Sequence, residues 1–140
     1  MIQLVYASAA TATFTPEALK LLLIKSRSRN EFHHVTGILL YDAGSFLQVL
    51  EGEEEDVELT FELVRHDRRH SNLKVFLQQR IEKREFGDWP MAFLDMSTWD
   101  AHTPGVTDYY RSLPTFISGP TAAKQYLRFF REGRFHQAAA

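Results

Sequence analysis

The chain predicts an α+β fold, one β-sheet with two helices on one face and a C-terminal helical extension covering the other. Three observations predict it. In Phe46–Gly52, Phe46, Gln48 and Leu50 share one face by the period of two, and Leu47 and Val49 share the other, so neither face is free to be wet. Strand-like and helix-like periodicities alternate along residues 1–95 in the order βαββαββ. Ala123, Tyr126, Leu127 and Phe130 then recur at i, i+3, i+4 and i+7, the stripe of a helix that lies on something apolar.

The elements follow in order. Ile2, Leu4, Tyr6 and Ser8 alternate with Gln3, Val5 and Ala7 in a first strand. Thr15-Pro16-Glu17 starts a helix, with Thr15 as cap and Pro16 at the first helical position. Its Leu- and Ile-rich stripe runs to Arg29-Asn30, where Asn suits a left-handed terminator. Val35–Tyr41 is a second strand, joined through the tight turn Asp42-Ala43-Gly44-Ser45 to the third. Glu53-Glu54-Glu55-Asp56 puts carboxylates at the positive end of a second helix, whose Val57, Phe61 and Val64 face the core. Dipole complementarity accounts for these acids more simply than a metal does. Leu73–Ile81 is a fourth strand and Met91–Leu94 a fifth. This order is ferredoxin-like, with the first and third strands expected as parallel central neighbours and Tyr6 beside Gln48. The final helix, with a further helical segment over 107–113, would be the lid. Pro104, Pro114 and Pro120 would punctuate its connections, and the tail after Gly133 would fray. Residues 1–95 are the expected core domain and 96–140 the extension.

Composition narrows the function. The chain has 140 residues and a formal charge of -2, against a dedicated nucleic-acid or membrane-surface protein. It has no cysteine, which excludes disulfides, thiolate catalysis and thiolate-held metals. Met1–Tyr6 carries no charged leader, and no run approaches the about 18 apolar residues of a membrane span, so a cytoplasmic protein is expected. His66 and His70 stand at i, i+4 beside Asp67 without a third convincing ligand, so no metal is expected. His33-His34 is expected to be solvated.

Several polar residues exceed what a plain core needs. Gln48 lies inside, and a buried carboxamide left unpaired costs about 1–3 kcal/mol, so a polar partner has to meet it. Taken singly, Tyr6 is a core aromatic, Asn30 a helix terminator, and Trp89 and Met91 edge filler. Together, a phenol and two amides converging between sheet and helices ask for a flat ligand with its own donors and acceptors.

These residues resemble the BLUF domains, blue-light sensors that bind a flavin. The resemblance is carried by Leu4-Val5-Tyr6-Ala7-Ser8, Arg29-Asn30, Val35-Thr36-Gly37-Ile38-Leu39-Leu40-Tyr41, Phe46-Leu47-Gln48-Val49-Leu50-Glu51-Gly52, Asp67-Arg68-Arg69-His70 and Phe86-Gly87-Asp88-Trp89-Pro90-Met91. It implies a non-covalently bound flavin, FAD with FMN or riboflavin as alternatives. Gln48 would lie between the Tyr6 hydroxyl and the flavin edge, and Asn30 would bond the ring's carbonyl edge. Leu22 and Val64 would flank the ring, with Phe46 near it. Ser26 stands where some members meet the Trp89 indole. Asp67 would be the flavin-edge aspartate. Trp89 and Met91 would be the output pair. Arg65, Arg68, Arg69 and His70, with Lys25 and Arg27, would line the mouth for a phosphate tail, unless Arg65 and Arg68 simply complement a helix end. Arg29 stands where members often have Asn or His, and Leu63 where some have Arg, departures that touch the supporting contacts.

The implied switch needs no bond to the cofactor. An excited flavin is a strong oxidant, the phenol gives up an electron and a proton through the amide, and on return the Gln48 amide is left either rotated or tautomerised. The resemblance implies a photoreceptor without enzymatic activity that signals by contact to a separate partner protein and assembles with itself. Trp99, Tyr109, Tyr110, Phe116, Phe129 and Phe135 are candidates for an interface or a structural lid. The alternative is a light-insensitive small-ligand or protein-interaction module in which Tyr6 and Gln48 merely satisfy each other. An acylphosphatase-like or RNA-binding role lacks its basic, aromatic-studded open face.

Overall fold

The computed structural model describes residues 1–11, 15–87, 91–95 and 119–137. Along them run β1 (Ile2–Ala10), α1 (Pro16–Phe32), β2 (Thr36–Asp42), β3 (Ser45–Gly52), α2 (Glu54–Arg65), β4 (His70–Arg80), β5 (Ala92–Asp95) and α3 (Ala122–Arg131). The strands make one mixed sheet in the order β4-β1-β3-β2-β5, a ferredoxin-like α+β arrangement. β1 and β3 are the central neighbours expected, but they are antiparallel. The reason is topological. The crossover through α1 brings β2 back parallel to β1, and the hairpin then reverses β3.

Local chemistry sets the boundaries. Thr15 caps α1, its side chain accepting from the Ala18 N–H at 3.1 Å. The helix passes the expected stop at Asn30 and closes at His34, which takes φ 56° while the Val35 N–H donates to the Asn30 carbonyl at 2.8 Å. Asn30 is therefore a fully buried residue within the helix and not its terminator. In the β2–β3 turn both Ala43 (φ 46°) and Gly44 (φ 88°) are left-handed, the conformation a tight hairpin requires. Gly37 is dictated by proximity, since a Cβ there would sit 1.8 Å from the Val49 carbonyl oxygen. The first turn of α2 carries Glu54, Glu55 and Asp56, in keeping with the dipole reading.

The sheet buries both faces, as β3 demands. Leu4, Tyr6, Leu39, Phe46, Leu50 and Met91 pack under α1 and α2, with Leu19, Leu22, Leu23, Val57 and Val64 from the helices. On the other face Val5, Ile38, Leu47 and Val49 pack against Ala123, Leu127 and Phe130 of α3. Burying Leu127 and Phe130 contributes about 1.5–3 kcal/mol each. The described residues after α3, 132–137, are docked and not frayed. Gly133 (φ 92°) lets the Arg134 N–H donate to the Phe129 carbonyl at 2.9 Å. His136 then stacks on Phe130 (centroids 4.3 Å) and bonds Asp42 at 2.8 Å. Phe135 packs against Phe76, Tyr126 and Phe129, so the lid role fits Phe129 and Phe135. Trp99, Tyr109, Tyr110, Phe116, Pro104, Pro114 and the segment 107–113 lie outside the described residues.

Candidate functional site

Tyr6 and Gln48 are register partners across the β1/β3 ladder, and both are buried on the face covered by α1 and α2. The Tyr6 hydroxyl donates to Gln48 Oε1, and Gln48 Nε2 donates to Met91 Sδ at 3.4 Å. A phenol, an amide and a thioether thus form one chain from β1 through β3 to the start of β5. Burial pushes the Tyr6 phenol well above its ordinary value, against the lowering effect of the Arg29 charge and with a further raise from Asp67. It stays protonated at any working pH. Phe61 of α2 meets the Tyr6 ring edge-on at 5.2 Å, a neighbour that sequence reasoning counted only as core.

Leu22, Phe46 and Val64 fall in the same apolar cluster as Tyr6 and Met91, and Ser26 and Asn30 are buried on α1. Around the Tyr6 side of that cluster stands a charged group. Arg69 grips Asp67 through Nη2 at 2.6 Å and Nε at 3.0 Å, and its backbone N–H adds a bond at 2.9 Å. Burial raises Asp67, but these bonds outweigh it and hold the carboxyl below its usual range. Arg29 is lowered by burial, while Tyr6 and Asp67 oppose that effect, and its Nε is buried with no hydrogen-bond partner among the described residues. His70 opens β4 with Nδ1 3.0 Å from Ser8 Oγ and its ring 4.8 Å from Phe46. Burial pushes it down to about 4, against the pull of Asp67 and with help from Arg69 and Arg29. The β1–β4 ladder slips between Val5 and Tyr6 and again between Ala7 and Ala9, irregularities that fall beside Tyr6 and Ser8.

Other expected residues are placed elsewhere. Arg27 turns toward β5, its Nε donating to the Met91 carbonyl at 3.0 Å, and Lys25 is exposed, so neither joins the charged group around Asp67. Arg65 pairs with Glu62 at 2.8 Å at the exposed end of α2, as the helix-end reading has it. His66 lies against the Glu62 carbonyl at 2.8 Å, and among the described residues no three His, Asp or Glu side chains gather as a metal site. Trp89 lies outside the described residues.

Sequence reasoning missed a second buried polar cluster. On the opposite sheet face, Glu51 Oε1 accepts from the Phe86 N–H at 2.6 Å and Thr36 Oγ1 at 3.3 Å. Its Oε2 accepts from the Glu85 N–H at 2.9 Å and Gln3 Nε2 at 3.2 Å. Arg84 closes the cluster on Thr36 and on the Glu51 and His34 carbonyls. The signal was present, because Glu51 shares the inward face of Leu47 and Val49 by the same period of two.

A family model described as BLUF, sensors of blue-light using FAD, matches residues 1–92. The chain belongs to the BLUF family. The blue light- and temperature-regulated antirepressor BluF of Escherichia coli (strain K12) is 38% identical over 68 residues, 49% of this chain and 17% of that protein. Photoactivated adenylate cyclase subunit beta of Euglena gracilis is 32% identical over 90 residues, 64% of this chain and 10% of that one. The chain therefore spans only 10% to 17% of these curated relatives. Among solved structures, BlrB, a BLUF protein in its dark state, matches with TM-score 0.69 and 28% identity over 94% of this chain and 96% of that one. Klebsiella pneumoniae BlrP1, in its calcium and cyclic diGMP complex, matches with TM-score 0.76 and 28% identity over 94% of this chain and 34% of that one.

BLUF domains are blue-light sensors, and their chromophore is the flavin FAD. Residues 1–92 form a BLUF sensor module, and the match with BlrB extends over nearly all of both chains. The mutual bond of Tyr6 and Gln48 alone would also suit a light-insensitive module, and family membership decides for the sensor. The residues fit a flavin. Arg29 presents a buried Nε–H with no partner among the described residues, within electrostatic reach of Tyr6, which suits a ring with a polar carbonyl edge. Among the described residues no helix is long and apolar enough to cross a membrane.

Proposed function

We propose that this BLUF protein registers blue light as a change in the hydrogen bonding of the Gln48 amide and passes it on by contact. When bound, the flavin supplies the absorbing dye and, excited, an electron acceptor. Tyr6 supplies the electron and the hydroxyl proton, which its burial keeps in place in the dark. Gln48 Oε1, already bonded to that hydroxyl, would carry the proton away and give it back to the Tyr6 oxygen as the electron returns to Tyr6. The amide ends either rotated or tautomerised, and its donation to Met91 Sδ changes with it. A thioether is a weak acceptor, so little holds the amide in its dark position. The chain Tyr6–Gln48–Met91 is the observation that carries this reading.

Asn30, Arg29 and Gln48 would hold the polar edge of the ring, and Leu22, Phe46 and Val64 its apolar surface, with Ser26 beside them. Asp67, Arg69 and His70 would steady the side from which the tail leaves, and the cations there favour a phosphate-bearing flavin, in keeping with FAD. Met91, with Trp89, would be the output pair. Residues 1–95 would be the sensing core and 96–140 the extension through which a separate signalling protein, or a second copy of the chain, is met in the cytoplasm. The test is colour. Purified protein loaded with FAD should be yellow and shift reversibly to the red under blue light. Gln48→Leu should keep the flavin and lose the shift, and a shift that survives in this variant counts against the mechanism.

A further inference from the structure

Met91 is held from two sides by groups of unequal strength. Its thioether takes the Gln48 Nε2 donor at 3.4 Å, a weak bond. Its backbone carbonyl accepts from Arg27 Nε on α1 at 3.0 Å, a bond from a charged donor and roughly twice as strong as a neutral one. β5 begins at the next residue. Among the described residues it is a four-residue edge strand, paired on one side, parallel to β2 from Ile38↔Ala92 to Tyr41↔Asp95. So short a strand fixes its own first turn of chain poorly, and Met91 lies ahead of its first ladder pair. Met91 is nonetheless completely buried.

We propose that Arg27 is a positioning residue of the photocycle. Its guanidinium clamps the start of β5 to α1, so that Met91 Sδ stays within reach of Gln48 while the amide is rearranged. The proposal rests on the Tyr6–Gln48 reading above. When light turns the amide, the weak bond to sulfur breaks and the strong bond to the carbonyl persists. The acceptor for the returning amide is then already in place. Without Arg27 the start of β5 loses both anchors at once, and Met91 has to dock again before the amide can settle. That cost falls on the return in the dark and not on the forward step, which is complete before the strand moves.

The experiment is dark recovery of the FAD-loaded full chain after a blue-light pulse, in the parent, Arg27→Ala, Arg27→Gln and Arg27→Lys. The expected result is a red shift of unchanged size in all four. Recovery should be about fivefold slower in Arg27→Ala, intermediate in Arg27→Gln, and restored toward the parent in Arg27→Lys, whose ammonium keeps a charged donor. Recovery in Arg27→Ala and Arg27→Gln within about twofold of the parent, or faster than the parent, overturns the proposal even if both variants melt earlier. The same question is put to the carbonyl directly by infrared spectra of protein labelled with carbonyl-13C methionine. The Met91 band should move to higher wavenumber in the dark state of every Arg27 variant that folds, and most in Arg27→Ala. A dark-state band that stays in place overturns the proposal as well. A parent protein that binds FAD and shows no shift at all fails the Tyr6–Gln48 reading instead.

Discussion

β1 and β3 bury one carboxamide on each face of the sheet, and the two amides live under opposite terms. Gln3 faces the α3 side, where its Nε2 donates to the Glu51 carboxylate at 3.2 Å and its Oε1 accepts from Gln79 at 3.0 Å. Gln48 faces the helix side, where its oxygen meets a phenol and its nitrogen meets, among the described residues, only a thioether at 3.4 Å. One amide is locked between committed partners at both ends, and the other is held firmly at one end and loosely at the other. A buried amide becomes a switch only when turning it costs little, so the soft sulfur acceptor is what separates Gln48 from Gln3.

The locked side should show the largest loss when broken. Glu51→Leu removes the acceptor of two backbone N–H groups, Gln3 and Thr36 at once, and leaves the Phe86 and Glu85 amides without it. Chemical denaturation should show a loss of about 3–5 kcal/mol. At temperatures where the variant is folded and holds FAD, its red shift should match the parent, because this cluster lies across the sheet from Gln48. A lost shift in a well-folded variant would erase the contrast between the two faces.

The next effect is an acid limb from His70. Its folded value of about 4 lies below the ordinary imidazole value of 6.5, so between these the unfolded chain binds the extra proton. Stability from the neutral ring is complete above pH 6.5 and is lost as pH falls toward 4, by on the order of 3 kcal/mol. Glu51, raised by burial, gains stability on acidification and works against this trend. The measurement is therefore the difference between the parent and His70→Phe, which keeps the ring contact with Phe46 and removes the titration. The two stability curves should converge as pH falls from 6.5 to 4, and parallel curves would refute the assignment.

Much of this contrast is legible in the sequence. The period of two in Phe46–Gly52 put Gln48 inside, Thr15-Pro16 set the start of α1, and the Ala123/Tyr126/Leu127/Phe130 stripe announced the lid. Strand direction is not legible there, because side-chain alternation is the same in a parallel and an antiparallel pair, and β1/β3 is antiparallel where a parallel pair is expected. Asn30 misled for a related reason. Its tolerance of the left-handed region is a local property, whereas its burial under the sheet is tertiary, and His34 took the left-handed position instead. Glu51 was hidden by its charge, which drew attention to the acidic run at the start of α2 although its register pointed inward. The grouping of Ser8, His70 and Phe46 depends on the slips in the β1–β4 ladder, which no single-strand pattern encodes.

A matched pair sharpens the comparison at smaller cost. Gln48→Leu leaves the buried Tyr6 hydroxyl without its acceptor, and Gln3→Leu leaves Glu51 with its three other donors. Each should lose about 1–3 kcal/mol, with Gln3→Leu toward the lower end. Their optical effects should divide cleanly, with no red shift in Gln48→Leu and the parent's shift in Gln3→Leu. If both variants kept or both lost the shift, the face of the sheet would not matter.

The smallest effect isolates the soft acceptor itself. Met91→Leu keeps nearly the same volume in a fully buried place, so its packing cost should stay below about 1.5 kcal/mol. What it removes is the one acceptor for Gln48 Nε2 seen among the described residues. The phenol–amide bond at the other end is untouched, so the red shift should survive at its full size. The dark orientation of the amide loses its only reward on that side, and recovery should slow by no more than about fivefold, the factor that roughly 1 kcal/mol gives. A variant that recovers at the parent's rate would mean that sulfur contributes nothing to holding the amide, and the difference between Gln48 and Gln3 would have to lie in the phenol alone.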